Sequence, residues 1–115
     1  MTSKKQIILG IDPGLADTGF GVISKEGQTL TMLDCGSIKT KPQTEFMDRL
    51  KIINFELKKI IKKHKPDIIA LGYDQFVFTQ QLSKVLITLK LNSHIVRLDP
   101  YKPDMYKSSL IRKKT

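Results

Sequence analysis

The heptapeptide Ile-Leu-Gly-Ile-Asp-Pro-Gly at residues 8–14 decides the fold that this sequence predicts. Residues 7–11 form a continuous run of β-branched and aliphatic residues and Gly, which is typical of a strand buried on both faces. The run ends at Asp-Pro-Gly, a tripeptide that favours a sharp turn. We therefore expect residues 7–11 to form the central strand of a sheet, with Asp12 at its carboxyl end.

Two further strands are predicted directly after this turn. Residues 19–23 predict the second strand, and residues 25–28 predict the hairpin loop that leads into a third strand over 29–39. The first three strands are therefore expected to be antiparallel neighbours. An irregularity is expected near residues 34–36, because the alternation of apolar side chains breaks there.

An amphipathic helix is predicted after the third strand. Thr44 is expected to cap this helix, which runs to about His64. Apolar side chains recur at spacings of three and four, so one face of the helix is expected to pack on the sheet. The side chains of that face are Phe46, Leu50, Ile53, Leu57, Ile60 and Ile61.

The rest of the sequence predicts parallel strands joined by helices. The apolar run at 68–72 predicts a strand placed beside the first by the crossover helix. A second helix over 79–91, a fifth strand over 94–98 and a last helix from Pro103 to Leu110 are expected to follow. The predicted class is α/β, with element order βββαβαβα, a mixed five-stranded sheet flanked by helices, and one domain spanning residues 1–115.

The composition indicates an anionic partner and a reducing compartment. Lys and Arg outnumber Asp and Glu by 20 to 11, giving a net charge of +9, which is typical of nucleic-acid-binding proteins. The alternative is a lysine-rich, solvated helix face. Cys35 is the only cysteine, so no intrachain disulfide can form. No apolar run approaches the length of a membrane span, and we expect a cytoplasmic protein without membrane contact.

Asp12 is the strongest candidate for chemistry. Ligands of open α/β sheets gather beyond the carboxyl ends of parallel strands, and in this sequence those ends are Asp12 and Gly72. A carboxylate fixed at such an end suits a hard divalent cation. The alternative is that Asp12 only starts the turn or caps residues 17–18.

The sequence of residues 8–23, ILGIDPGLADTGFGVI, resembles that of the first hairpin of the RuvC family of Holliday-junction endonucleases. Residues 34–40, Arg49-Leu50 and residues 65–71 resemble the family's third strand, first helix and approach to the fourth strand. The resemblance implies an RNase H-like fold and a homodimer that cuts four-way DNA junctions in recombination and repair. It also implies a cofactor, Mg²⁺ or Mn²⁺, held by four carboxylates, of which Asp12 matches the first.

The sequence departs from the family pattern at the other carboxylates. The resemblance implies a glutamate at the end of the fourth strand, and Gly72 occupies that position, where Asp74 is a possible substitute ligand two residues further on. The family's last two aspartates lie on a C-terminal helix that these 115 residues lack, and neither Asp99 nor Asp104 has the required pattern. We therefore expect cleavage to be impaired.

The resemblance also implies residues that contact DNA. The family places an aromatic side chain after the glutamate to stack on junction bases. The candidates are Tyr73, Phe76 and Phe78, of which Phe76 is preferred. Packing of Phe76 or Phe78 against the second helix, as part of the core, is the alternative. The expected basic contacts are Lys39, Lys102, Lys107 and Arg112.

Two other functions remain open at this point. One is a non-catalytic module of the same fold that binds structured DNA or RNA, or that pairs with an intact copy. The other is a different RNase H-like protein, such as a YqgF-like RNA-processing nuclease or the front half of an actin-like phosphotransferase, since a Gly-rich hairpin can cradle phosphates.

Overall fold

The computed structural model describes residues 4–14, 16–72 and 76–98. These residues form five strands and two helices. In chain order the elements are β1 (Lys5–Asp12), β2 (Asp17–Glu26), β3 (Thr29–Lys39), α1 (Phe46–His64), β4 (Ile68–Leu71), α2 (Phe76–Leu89) and β5 (His94–Arg97). The predicted order of these seven elements is confirmed, whereas the predicted last helix from Pro103 lies outside the described residues.

All five strands belong to one sheet in the order β3-β2-β1-β4-β5. β1 pairs antiparallel with β2, and β2 antiparallel with β3, whereas β4 is parallel to both β1 and β5. The mixed five-stranded sheet is thus confirmed, and β1 is its central strand. The carboxyl ends of β1, β4 and β5 lie at one edge of the sheet, which we call the carboxyl edge.

The two faces of β1 are buried to different degrees. Leu9 and Ile11 are buried in the core, together with side chains of α1 and α2. The residues that alternate with them, Ile8 and Gly10, are only half-buried, and Asp12 is exposed. The prediction of a strand buried on both faces is therefore wrong for the described part of the chain, because the helices α1 and α2 supply the apolar partners of one face only.

The helix α1 covers the core with a narrower stripe than its sequence predicts. Ile53, Leu57 and Ile61 are fully buried. Phe46, predicted to be part of this stripe, is 57% exposed, because it stands in the first turn, beyond the core. Thr44 does not cap the helix either. The residue at the N-cap is Glu45, with an extended backbone and no capping side-chain hydrogen bond.

Hydrogen bonds near both ends of α1 tie the helix to β3 and the residue after it. Near its beginning, Arg49 Nε donates a hydrogen bond of 2.7 Å to Thr40 Oγ1. At its end, His64 Nε2 lies 2.9 Å from Asp34 Oδ2. The expected irregularity of β3 is a register shift opposite Val22 and Ile23, which leaves Leu33, the neighbour of Asp34, without a partner on β2.

The helix α2 begins three residues earlier than predicted and buries Leu82 and Leu86 against the same core. It leads into β5, whose four residues extend the sheet beside β4. Within the described ranges, neither helix is long and apolar enough to cross a bilayer.

Candidate active site

Asp12 lies at the carboxyl edge of the sheet, at the end of the central strand. Its Cα is paired with Gly19 on β2. On the other side, Ile11 is paired with Leu71, so the residues that follow in each strand, Asp12 and Gly72, are neighbours. Because Ile11 and Leu71 point into the core, the alternation of side chains directs the Asp12 carboxylate to the opposite, open face.

The turn after Asp12 is held by Thr18 and Gly14. Thr18 is fully buried, and its Oγ1 donates a 2.7 Å hydrogen bond to the Gly14 carbonyl while accepting a longer one, 3.5 Å, from the Gly14 N–H. A Cβ at Gly14 would lie 2.5 Å from the Asp17 carbonyl oxygen, so only glycine fits. The Asp12 carboxylate makes no hydrogen bond to a described residue, and the turn does not depend on it.

A cleft of about 390 Å³ opens on the face of the sheet to which Asp12 belongs. Its floor is formed by residues without large side chains: Gly10, Gly19, Gly21, Ala70 and Gly72. Gly10 and Gly21 are cross-strand partners, so β1 and β2 both lack a side chain at this pair of positions. A ligand can therefore approach the backbone of β1 and β2 closely beside Asp12.

Gly10 is part of this floor and was not predicted to be, although the glycines of the turn were singled out. The spacing of the glycines on β2 could have predicted this role of Gly10. Gly19 and Gly21 alternate along one face of β2, and a hairpin register that pairs Asp12 with Gly19 also pairs Gly10 with Gly21. Leu98, which follows β5, also lines the cleft and was not predicted to do so.

The space beside Asp12 is open at Gly72. A Cβ built on Gly72 would meet no atom within 4 Å, so nothing in the described structure prevents a side chain there. Gly72 itself offers no ligand atom. Among residues 4–14, 16–72 and 76–98, no three His, Cys, Asp or Glu side chains come together to hold a metal ion. The described residues alone therefore do not form the carboxylate set that the resemblance implies.

One predicted DNA contact lies at the same edge. Lys39 ends β3, is exposed, and is paired in register with Asp17 near the beginning of β2. The next residue, Thr40, donates a backbone hydrogen bond of 3.1 Å to Ala16, which joins the end of β3 to the turn after Asp12. Lys39 and Asp12 thus belong to one continuous edge.

The other predicted contacts are not described. Phe76 begins α2, but its side chain is outside the described part. Tyr73 and Asp74 lie outside the described residues, and so do Lys102, Lys107 and Arg112.

Comparison with known proteins identifies relatives of this sequence. It matches the family described as crossover junction endodeoxyribonuclease RuvC over residues 8–102. The protein of that name from Ruminiclostridium cellulolyticum is 40% identical over 80 residues, which are 70% of this chain and 47% of that protein. The one from Halothermothrix orenii is 47% identical over 64 residues, 56% of this chain and 39% of that protein. The matches thus span about half the length of these relatives or less.

A solved structure supports the same relationship at the level of the fold. T. thermophilus RuvC in complex with Holliday junction substrate superimposes with a TM-score of 0.65 and 19% identity, covering 80% of this chain and 63% of that one. At this identity the likeness concerns the fold alone. The RNase H-like fold class predicted from the sequence is confirmed.

Proposed function

Because the chain belongs to the RuvC family of crossover junction endodeoxyribonucleases, we propose that it acts on four-way DNA junctions as an endonuclease whose cleavage is impaired. The observation that carries this proposal is the pair formed by Asp12 and Gly72 at the carboxyl edge. The resemblance implies that Asp12 is the first of the family's metal-binding carboxylates. It also implies a glutamate at the position that Gly72 occupies.

Binding of DNA is supported by charge and by the shape of the edge. The chain has a net charge of +9, and a polyanion is the partner that such a charge attracts. The floor of the cleft beside Asp12 consists mainly of glycines, which leave room for the close approach of a DNA backbone, and Lys39 is exposed at the same edge. Tyr73, Phe76, Lys102, Lys107 and Arg112 are proposed as further contacts, and a homodimer as the assembly that binds the junction.

Metal-dependent hydrolysis is the part of the function that we propose to be weakened. Mg²⁺ or Mn²⁺ would supply charge stabilisation and an activated water when bound by several carboxylates. Asp12 is suited to contribute one of them, since it is exposed and free of hydrogen bonds to described residues. Gly72 contributes none, and the described residues gather no set of three ligands.

The test is a binding and cleavage assay on a labelled four-way junction, with linear duplex of the same length as the control DNA. Salt-sensitive binding that prefers the junction, with slow nicking that requires Mg²⁺ or Mn²⁺ and disappears in Asp12→Asn, would support the proposal. Equal affinity for junction and duplex would contradict the proposed substrate. Nicking that Asp12→Asn does not reduce would contradict the role of Asp12.

A non-catalytic module that binds structured nucleic acid is the second candidate. The absence of a three-ligand group in the described part favours it. The same assay separates the two functions. Junction binding without any metal-dependent nicking, at protein concentrations that saturate the DNA, would establish the module and reject the endonuclease.

A further inference from the structure

The outward face of α1 combines lysines with an exposed aromatic ring. An α-helix turns by about 100° per residue, so the positions opposite the buried Ile53, Leu57 and Ile61 form a second stripe along the helix. Every residue of that second stripe is exposed. We call the outer stripe the residues Lys51, Phe55, Lys58, Lys59 and Lys62; Asp48 and Ile52, which are also exposed, lie on the same side of the helix.

Phe55 does not serve the core of the protein. It is 59% exposed and is not among the residues that pack in or against the core cluster. Lys59 Nζ lies 4.5 Å from the centroid of its ring and 3.3 Å from Glu56 Oε1. The ring is thus held at the surface with a positive charge over one of its faces, and its apolar area has no packing function in the core that the described structure shows.

The lysines of the outer stripe are mostly without carboxylate partners. Among the described residues, none of Lys51, Lys58 and Lys62 is paired with an Asp or Glu. The helix dipole accounts for positive charge in the last turn, where Lys62 stands. It does not account for Lys51, which is more than two turns away, or for the aromatic ring between the lysines.

We infer that the outer stripe binds single-stranded nucleic acid, with an unpaired base stacked on Phe55 and neighbouring phosphates bound by Lys51, Lys58 and Lys62. Lys51 precedes Phe55 by four residues and Lys58 follows it by three, so cations flank the ring one turn away on each side. The lysines span about 16 Å along the helix axis, which several successive phosphates can match. Stacking on an aromatic ring within a basic track is how proteins hold unpaired strands.

Two other anionic partners fit this surface less well. A duplex offers phosphates to the lysines but no unpaired base to the ring. A membrane-surface helix inserts a broad apolar face, whereas the broad apolar face of α1 is buried under the sheet. The apolar side chains exposed around the centre of α1 are only Ile52 and Phe55.

The outer stripe is separate from the candidate active site. The helix α1 returns from the end of β3 to the beginning of β4, so only its first turn lies near the carboxyl edge. Lys62 is about 24 Å further along the helix axis than Phe46, toward the opposite edge of the sheet. Binding of nucleic acid at the outer stripe therefore does not depend on cleavage at the carboxyl edge. It adds a second nucleic-acid surface to the proposed function.

The test uses the full chain and fluorescence anisotropy with a labelled oligo(dT), a duplex of equal length and vesicles containing anionic lipid. Phe55→Ala should weaken oligo(dT) binding roughly 5-fold to 150-fold and leave duplex binding nearly unchanged. The matched control is Phe46→Ala, because Phe46 is 57% exposed on the opposite side of the same helix. Phe55→Trp should retain the affinity.

The lysines are tested by the salt dependence of binding. The triple variant Lys51→Gln, Lys58→Gln, Lys62→Gln should lower the slope of log affinity against log salt by about 2. Lys4→Gln, Lys25→Gln, Lys84→Gln changes the net charge equally, at exposed positions elsewhere, and should lower the slope less. Equal losses in the two triple variants, full affinity in Phe55→Ala, or tighter binding to vesicles than to oligo(dT) would each overturn the inference. Four-way junction binding in the same variants tests the proposed function separately.

Discussion

His64 Nε2 at the end of α1 lies 2.9 Å from Asp34 Oδ2 on the edge strand β3. The hydrogen bond from His64 lowers the pKa of the Asp34 carboxyl below its ordinary value of 3.8, with smaller contributions from the backbone N–H of Cys35 and the charge of Lys63. The contact therefore stabilises the folded protein while Asp34 is ionised, and it joins the end of α1 to β3.

The stability that this contact gives the folded protein should depend on pH in a defined range. The pKa of Asp34 is lower in the folded chain than in the unfolded chain, so its contribution is present above about pH 3.8 and is lost as the pH falls below that value. We expect Asp34→Asn to lower the melting temperature at neutral pH, and the difference from the unmodified chain to shrink in acid. Thermal denaturation between pH 3 and 7 measures this, with Glu26→Gln as the control. A difference in melting temperature that stays constant with pH would contradict the proposed role of the Asp34 carboxylate.

Gly14 and Gly21 form a matched pair for testing the turn after Asp12. A Cβ at Gly14 would lie 2.5 Å from a backbone oxygen of Asp17, whereas a Cβ at Gly21 would meet nothing within 4 Å. Gly14→Ala should therefore reduce the free energy of unfolding by about 1–3 kcal/mol, and Gly21→Ala by much less. Denaturant unfolding of both variants measures the effect. Equal stability of the two would show that the turn can relax around a methyl group.

The periodicity of the sequence predicts the elements well, because burial on one face imposes spacing on the residues. Ile53, Leu57 and Ile61 show this on α1. The ends of elements are set by local backbone contacts that periodicity does not register. The Thr44 N–H donates to the Lys41 carbonyl, so Thr44 belongs to a turn, and the helix begins after Glu45.

In the candidate site, too, some features could be predicted from the local sequence and others could not. Asp12 could be predicted, since a carboxylate at the end of an apolar run is a local feature. The glycine floor beside it depends on the register that places Gly10 opposite Gly21, eleven residues apart in the chain. The neighbourhood of Asp12 and Gly72 depends on a parallel pairing across a whole helix. The crossover rule predicts that β4 lies beside β1, but the register that sets Leu71 opposite Ile11, and so brings Gly72 next to Asp12, is not visible in the periodicity of the sequence.

Asp12→Asn should remove any Mn²⁺ affinity of the carboxyl edge without affecting the fold. The substitution retains the shape of the side chain and removes the charge that a divalent cation requires. Asp12 is exposed and makes no hydrogen bond to a described residue, so the free energy of unfolding should change by less than about 0.5 kcal/mol. Calorimetric titration with Mn²⁺ measures the affinity, with Asp17→Asn as the control. Unchanged Mn²⁺ affinity in Asp12→Asn would remove Asp12 from the proposed site.

Gly72→Glu tests the proposed cause of impaired cleavage. The open space at Gly72 accepts a side chain, and a glutamate there would stand beside Asp12 on the same face of the sheet. A second carboxylate close to a bound cation should raise Mn²⁺ affinity by at least about tenfold, whereas Gly72→Gln, of equal size but neutral, should not. Robust cleavage of a four-way junction should not follow, because the described residues would then supply two carboxylates where the family resemblance implies four. Strong metal-dependent cleavage by Gly72→Glu would therefore show that another acid, such as Asp74 or Asp104, completes the site.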